Sequence, residues 1–305
     1  MCAFKPGHGL NPKTLEMYEK VRCRVVRQVR YSEHNENSID VVLFVNGLPI
    51  ATLELKTDFT QNIEDAVIQY KDDRPPFDKK TKKAESLLTF KRGALVHFAV
   101  STDEVRMTTR LEGKNTYFLP FNLGYDGGKG NPPNPDGYRT AYLYERVLQR
   151  DAFLEIIEKY LHLEKTTKEV NGKKVVNENI IFPRYHQWDV VRKMMGAAKG
   201  EGPGKNYLVQ HSAGSGKSNT IMWLAHQLSS LHNAKDKKVF DSIIIVTDRT
   251  VLDDQLTDAV KQFDHKDGVV ISINDRESPK STKLTKALKQ KAPSSSSQSR
   301  RFREP

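Results

Sequence analysis

Residues 210–221 read "QHSAGSGKSNTI", and the run Gly214-Ser215-Gly216-Lys217-Ser218 constrains the chain more than any other stretch. Two glycines one residue apart let backbone N–H groups turn toward anionic oxygens, in conformations that a Cβ resists. A lysine and a hydroxyl directly after them supply a charge for the terminal phosphates and a ligand for a divalent cation. The flanks agree. "NYLVQHS" reads as a strand before the loop and "NTIMWLAHQLSSL" as a helix after it; "VFDSIIIVT" then reads as a buried strand and "LDDQLTDAVKQF" as a further helix. That order predicts a parallel sheet carrying a phosphate-binding loop. ATP and Mg²⁺ are the expected cofactors, with Gly214, Ser215, Gly216 and Lys217 around the phosphates and Ser218 on the metal. His211 stands where the longer GxxxxGK[ST] pattern has its first glycine.

The N-terminal half has a different rhythm. Residues 21–30, "VRCRVVRQVR", read as a strand, and residues 38–45 and 49–56 as two more around Asn46-Gly47, a strong hairpin signal. Residues 61–71 place Ile63, Ala66, Val67 and Tyr70 at helical spacing. "GALVHFAVS" and "EVRMTTRL" add two strands, so the first 110 or so residues predict a β-β-β-α-β-β mixed sheet. Residues 122–140 are rich in Gly, Pro and Asn and predict a loop, while 140–162 predict a helix. The resulting domains are 1–162, a polar linker at 163–180 with a small hairpin at Asn171-Gly172, and a second domain at 181–290. The serine-rich basic tail 291–305 predicts disorder and reads as an out-of-frame continuation.

Within the hairpin, "SIDVVLFVNGLPIATLELK" sets Asp40, Glu54 and Lys56 among residues that otherwise favour burial. Glu54 and Lys56 share a strand face because side chains alternate with a period of two. A strict two-residue turn would pair position 45 with 48 and 40 with 53, leaving Asp40 and Glu54 on opposite faces. One extra residue in the hairpin corrects the parity. Two carboxylates and a lysine would then suit metal-assisted phosphodiester cleavage: hard oxygen ligands for a cation, and a charge beside the attacking water. A hairpin with a charged outer face accounts for the same residues.

Asp40…Glu54-Leu55-Lys56 followed by a helix resembles the PD-(D/E)xK nuclease core, with Ile39 in place of the proline. Gln69 and Tyr70 compare with a QxxxY element of some of these nucleases, though here they are adjacent. "FPRYHQWDVV" resembles the Q motif of superfamily 2 helicases, whose glutamine, here Gln187, contacts adenine. "IIIVTDRTVLDDQL" resembles the next helicase segment, with Thr247, Asp248, Arg249 and Gln255 on a nucleic-acid backbone. The combination, with "RQVRYSEHNENSIDVVLFVNGLPIATLELK" and "LVHFAVSTDEVRMTTRL", resembles the R subunit of type I restriction–modification enzymes. The resemblance implies an α/β chain: a PD-(D/E)xK nuclease-like mixed sheet followed by a partial P-loop, RecA-like parallel-sheet lobe. It implies Mg²⁺-dependent cleavage of double-stranded DNA coupled to ATP-driven translocation, with methylation (M) and specificity (S) subunits as partners. The family's DExx acid is not found after residue 218, and its members are several times longer, so an N-terminal fragment is expected. A non-catalytic DNA- and nucleotide-binding protein and another kind of helicase–nuclease are the alternatives.

Composition is compatible with this. The 49 Lys and Arg exceed the 38 Asp and Glu by 11, which makes a polyanion a natural partner, although many soluble proteins are as basic. No apolar run approaches the roughly 18–20 residues of a membrane span, and the first twenty residues lack the apolar segment of a secretory signal. Cys2 and Cys23 cannot build a disulfide framework, so a reducing cytoplasm is expected.

Overall fold

The computed structural model describes residues 3–6, 12–57, 61–170 and 173–246, together with the short strands 270–271 and 302–303. The chain divides into two compact units: residues 1–6 with 11–186, and residues 7–10 with 187–305.

The first unit is built on a six-stranded mixed sheet in the order β1-β2-β3-β4-β5-β6. Its strands are Cys23–Arg30, Ser38–Val45, Leu48–Leu55, Val96–Val100, Val105–Thr108 and Leu119–Pro120. β1, β2 and β3 are antiparallel, β3 runs parallel to β4, and β4, β5 and β6 are again antiparallel. Asn46 (φ 50°) and Gly47 (φ 86°) make the β2–β3 turn, both in the left-handed region that tight hairpins require. β3 and β4 are parallel, so a crossover must join them. It begins with α2, Ile63–Ile68, whose start is fixed by a capping box between Asn62 and Asp65. α2 buries Ile63, Ala66 and Val67 against a core that includes Ile39, Val42, Leu88 and Ala99.

The structure departs from the sequence expectation at four places. The helix over 61–71 does not stay α-helical: Gln69–Asp73 form a π-helical turn, followed by Arg74, Pro75 and Pro76. The residue before a proline is pushed away from helical geometry, and Arg74 sits at φ −122°, ψ 51°. The helix over 140–162 resolves into a π turn at Leu143–Val147 and α3 at Arg150–Lys159. An unexpected helix, α1 at Pro12–Glu19, exposes Leu15 and Met17, and its Tyr18 packs with Val21, Val45 and Leu154. Residues 163–180, expected as a linker with a small hairpin at Asn171-Gly172, fall within a longer hairpin of β7 (His162–Val170) and β8 (Lys173–Ile181), paired from His162↔Ile181 to Val170↔Lys173. Thr109 Oγ1 donates to the Ile180 carbonyl at 2.7 Å and anchors its base.

The second unit contains most of α4 (Tyr185–Glu201), α5 (Lys217–Ser229) and three two-residue strands. These are β9 at Ile243–Ile244, β10 at Val270–Ile271 and β11 at Phe302–Arg303, arranged in parallel as β10-β11-β9. The expected strand "NYLVQHS" is not one: residues 205–212 lie outside any ladder, with Leu208 93% exposed. A strand exists only where a neighbour takes up its N–H and C=O groups, and no described strand does so here. Apart from Phe302–Arg303, the expected disorder of 291–305 concerns residues outside those described.

Candidate functional site

The hairpin parity is decided by a register shift. Val45 pairs with Leu48 and Phe44 with Pro49, but Leu43 pairs with Ala51, Val42 with Thr52 and Val41 with Leu53. Ile50 is the extra residue. Beyond it the register sets Asp40 opposite Glu54, on one face, as the chemistry of paired carboxylates requires.

Each carboxylate is held by named donors. Asp40 Oδ1 accepts from Gln28 Nε2 at 3.1 Å, and Oδ2 accepts from the Leu55 N–H at 2.8 Å. Glu54 is fully buried, and its Oε1 accepts from Arg74 Nε at 3.1 Å. Its Oε2 is buried with no hydrogen-bond partner among the described residues. Burial, and then the neighbouring negative charge of Asp40, push the Glu54 carboxyl up to about 8; the Arg74 guanidinium opposes them. Lys56 follows one residue after β3, and its N–H donates to the Val100 carbonyl at 2.8 Å. Strand alternation sets it on the Glu54 face.

Beside the carboxylates lies a buried polar chain. Thr52 Oγ1 is 2.8 Å from Tyr70 Oη and 2.7 Å from His97 Nδ1. Burial lowers the His97 imidazole to about 3, so it is neutral, and burial followed by the charge of Glu54 raises Tyr70. The adjacent Gln69 and Tyr70 both lie in the π turn; Gln69 Oε1 is buried without a hydrogen-bond partner among the described residues. Arg74, Gln28, Thr52 and His97 are site residues that the sequence reading missed. Only Arg74 left a local signal, as a cation placed before Pro75-Pro76 at the end of a helical pattern.

Does this centre suit a divalent cation? It offers two hard carboxylates, one orphaned buried oxygen, and a mutual repulsion that a cation would relieve. Among the described residues no group of three His, Cys, Asp or Glu side chains converges. Magnesium keeps several waters and uses only one or two carboxylates, so Asp40 and Glu54 fit it.

The glycine-rich loop is shaped as its residue types demand. Gly214 has φ 71° and Gly216 has φ 80°, and α5 starts at the next residue. The unpaired N–H groups of a first helical turn favour an anion there. Lys217 Nζ donates to the carbonyls of His211 at 3.3 Å and Ser212 at 3.0 Å, which holds its charge over the loop. Ser215 is buried, and Ser218 lies in the first turn of α5. Gln187, 4% exposed, donates from Nε2 to the Gly216 carbonyl at 2.8 Å. The structure therefore brings Gln187 to the loop through the backbone. Thr247, Asp248, Arg249 and Gln255 lie outside the described residues.

Comparison with known proteins gives both units relatives. Residues 15–116 match the family model described as the N terminus of the type I restriction enzyme R protein. Residues 186–300 match the SWI2/SNF2 ATPase family. A protein of Methanocaldococcus jannaschii, named as a candidate type I restriction enzyme MjaVIIIP endonuclease subunit, is 25% identical over 242 residues. The match covers 74% of this chain and 20% of that relative, so the chain spans about a fifth of the relative's length. Strands β1 to β5 with the paired carboxylates fall in the first matched region, and the glycine-rich loop in the second.

Proposed function

We propose that the first unit is the nuclease of a type I restriction enzyme and cuts double-stranded DNA with Mg²⁺ held by Asp40 and Glu54. The observation that carries this reading is the Ile50 bulge, which sets Asp40 opposite Glu54, whose Oε2 is buried with no hydrogen-bond partner among the described residues. Asp40 is oriented by Gln28 and the Leu55 N–H, and Glu54 by Arg74, so neither carboxylate needs to reorganise on binding. Bound Mg²⁺ would polarise the scissile phosphate and lower the pKa of its water. Lys56, on the same face, places a positive charge where the attacking oxygen arrives. The second unit binds ATP through Gly214, Ser215, Gly216 and Lys217, with Ser218 as ligand of its Mg²⁺ and Gln187 linking the loop to the adenine side. In the whole enzyme, ATP turnover would drive translocation, and methylation and specificity subunits would choose the target, all in the cytoplasm. No helix among the described residues is long and apolar enough to cross a membrane.

Supercoiled plasmid provides the test. Nicking by the chain with Mg²⁺ should stop with EDTA and in Asp40→Ala and Lys56→Ala, while Lys217→Ala nicks as wild type does. Nicking that persists in Lys56→Ala refutes the assignment. The largely exposed segment 205–212, which joins no ladder among the described residues, supports a second reading, in which this chain binds DNA and nucleotide without turnover. Binding of both with no Mg²⁺-dependent nicking under any condition selects it.

A further inference from the structure

β1 is an edge strand of the six-stranded sheet, and it is unusual in what it displays. Residues 21–30 contain Arg22, Arg24, Arg27 and Arg30 and no acidic residue. All four arginines are exposed, and Val25 and Val26 are 69% and 40% exposed, so little of the chain covers either face. Arg30 is paired with Glu36 at 2.6 Å, whereas no ion pair among the described residues engages Arg22, Arg24 or Arg27.

The register divides these arginines by face. Arg24 pairs with Phe44 and Val26 with Val42, and two residues further on Gln28 donates to Asp40. Even-numbered positions therefore share the face of Asp40 and Glu54, and Arg27 points the other way. Arg22 continues the ladder, since its N–H donates to Asn46 Oδ1 and its carbonyl accepts from the Asn46 N–H, both at 2.8 Å. Arg22 and Arg24 lie about 7 Å apart along the strand, and Arg24 about 13 Å from the Gln28 position beside Asp40. Two unpaired cations thus lead along one face to the carboxylate pair.

We propose that Arg22 and Arg24 form a phosphate-contacting track that seats the backbone of duplex DNA on the β1 face and leads it to Asp40 and Glu54. Charge complementarity selects the occupant: an all-basic, uncovered strand face suits a polyanion, and it is continuous with the centre that would cut it. Charged edge residues also discourage strands from pairing with other chains. That role needs no particular face, whereas a track needs the face of the carboxylates. The proposal rests on the nuclease reading for the identity of the polyanion.

The experiment measures binding of the 305-residue chain to a fluorescein-labelled 20-bp duplex of arbitrary sequence. It is run in EDTA, so that no cleavage occurs, over a series of salt concentrations. Each lost phosphate contact lowers the slope of log affinity against log salt by about one. Arg22→Gln/Arg24→Gln should therefore lose about two in slope and at least about tenfold in affinity at moderate salt, and Arg27→Gln should match wild type. Equal binding by wild type and the double variant overturns the track. So does an equal loss in Arg27→Gln, which would mean diffuse charge, or self-association of the double variant in gel filtration, which would mean edge protection. Mg²⁺-dependent nicking by wild type with unchanged binding in the double variant removes the track and leaves the nuclease. If wild type neither nicks nor binds duplex, both readings fall.

Discussion

The two candidate centres of this chain are assembled in opposite ways. The carboxylate centre draws on residues far apart in sequence: Gln28, Asp40, Glu54 and Arg74 come from two strands, a third strand and the end of a π turn. Its geometry depends on one extra residue, Ile50, and on a buried ion pair. The nucleotide loop spans residues 211–218 with one outside contributor, Gln187, and takes its shape from Gly214 and Gly216. A site made by register is sensitive to any change in the sheet. A site made by a local turn tolerates changes in its surroundings and keeps its shape while the preceding segment 205–212 stays outside a ladder.

Deleting Ile50 should break the first centre most completely. Without it the strict register returns, residues 51–54 swap faces, and Ala51 and Leu53 exchange places with Thr52 and Glu54. Loss of cooperative unfolding, or of about 4 kcal/mol or more in stability, is expected by chemical denaturation, with loss of metal binding by calorimetry. Arg74→Ala comes next. It leaves Glu54 buried without its cation, which costs about 3–5 kcal/mol when Glu54 is ionised. Denaturation at pH 9 should show this, and the cost should shrink at pH 6, where Glu54 carries a proton.

The pH dependence sharpens the contrast further. Glu54 is raised from 4.5 to about 8 in the folded chain. Between those values the folded state holds a proton that the unfolded state has released. The contribution of this group is therefore present at low pH and is lost as pH rises toward 8, at about 1.4 kcal/mol per pH unit at most. Glu54→Gln should flatten that slope. Cation binding displaces the same proton, so apparent Mg²⁺ affinity should climb about tenfold per pH unit below 8 and level off above it. Lys217→Ala should have the smallest effect on folding, within about 0.5 kcal/mol, because its side chain is exposed. It should nonetheless abolish binding of a fluorescent ATP analogue. A large loss of stability in Lys217→Ala would erase the distinction between the two centres.

How much of this could be read from residues alone depended on the range of the interaction. Asn46-Gly47 announced the hairpin, and Asp40, Glu54 and Lys56 announced a centre, because turn chemistry and strand alternation are local. The need for one odd residue followed from parity, but its place at Ile50 did not. Arg74 escaped notice because a π turn places it, and no simple residue pattern distinguishes five-residue from four-residue helical hydrogen bonding. Gln28 and His97 are ordinary strand residues until the sheet order brings them beside Asp40 and Thr52. The strand expected at 206–212 failed for a complementary reason: its apolar pattern was sound, but a ladder requires neighbours.

By itself the sequence determined the local conformations: the glycine loop and helix at 214–229, the Asn46-Gly47 turn and the alternating strands beside it. Those follow from the steric freedom of single residues and the period of side chains along one segment. Tertiary structure alone decided that Asp40 faces Glu54, that Arg74 neutralises half of a buried carboxylate, and that Arg24 shares their face. Each of these depends on the pairing of distant segments, and the free energy that selects one register over the next resides in the buried faces of the whole sheet.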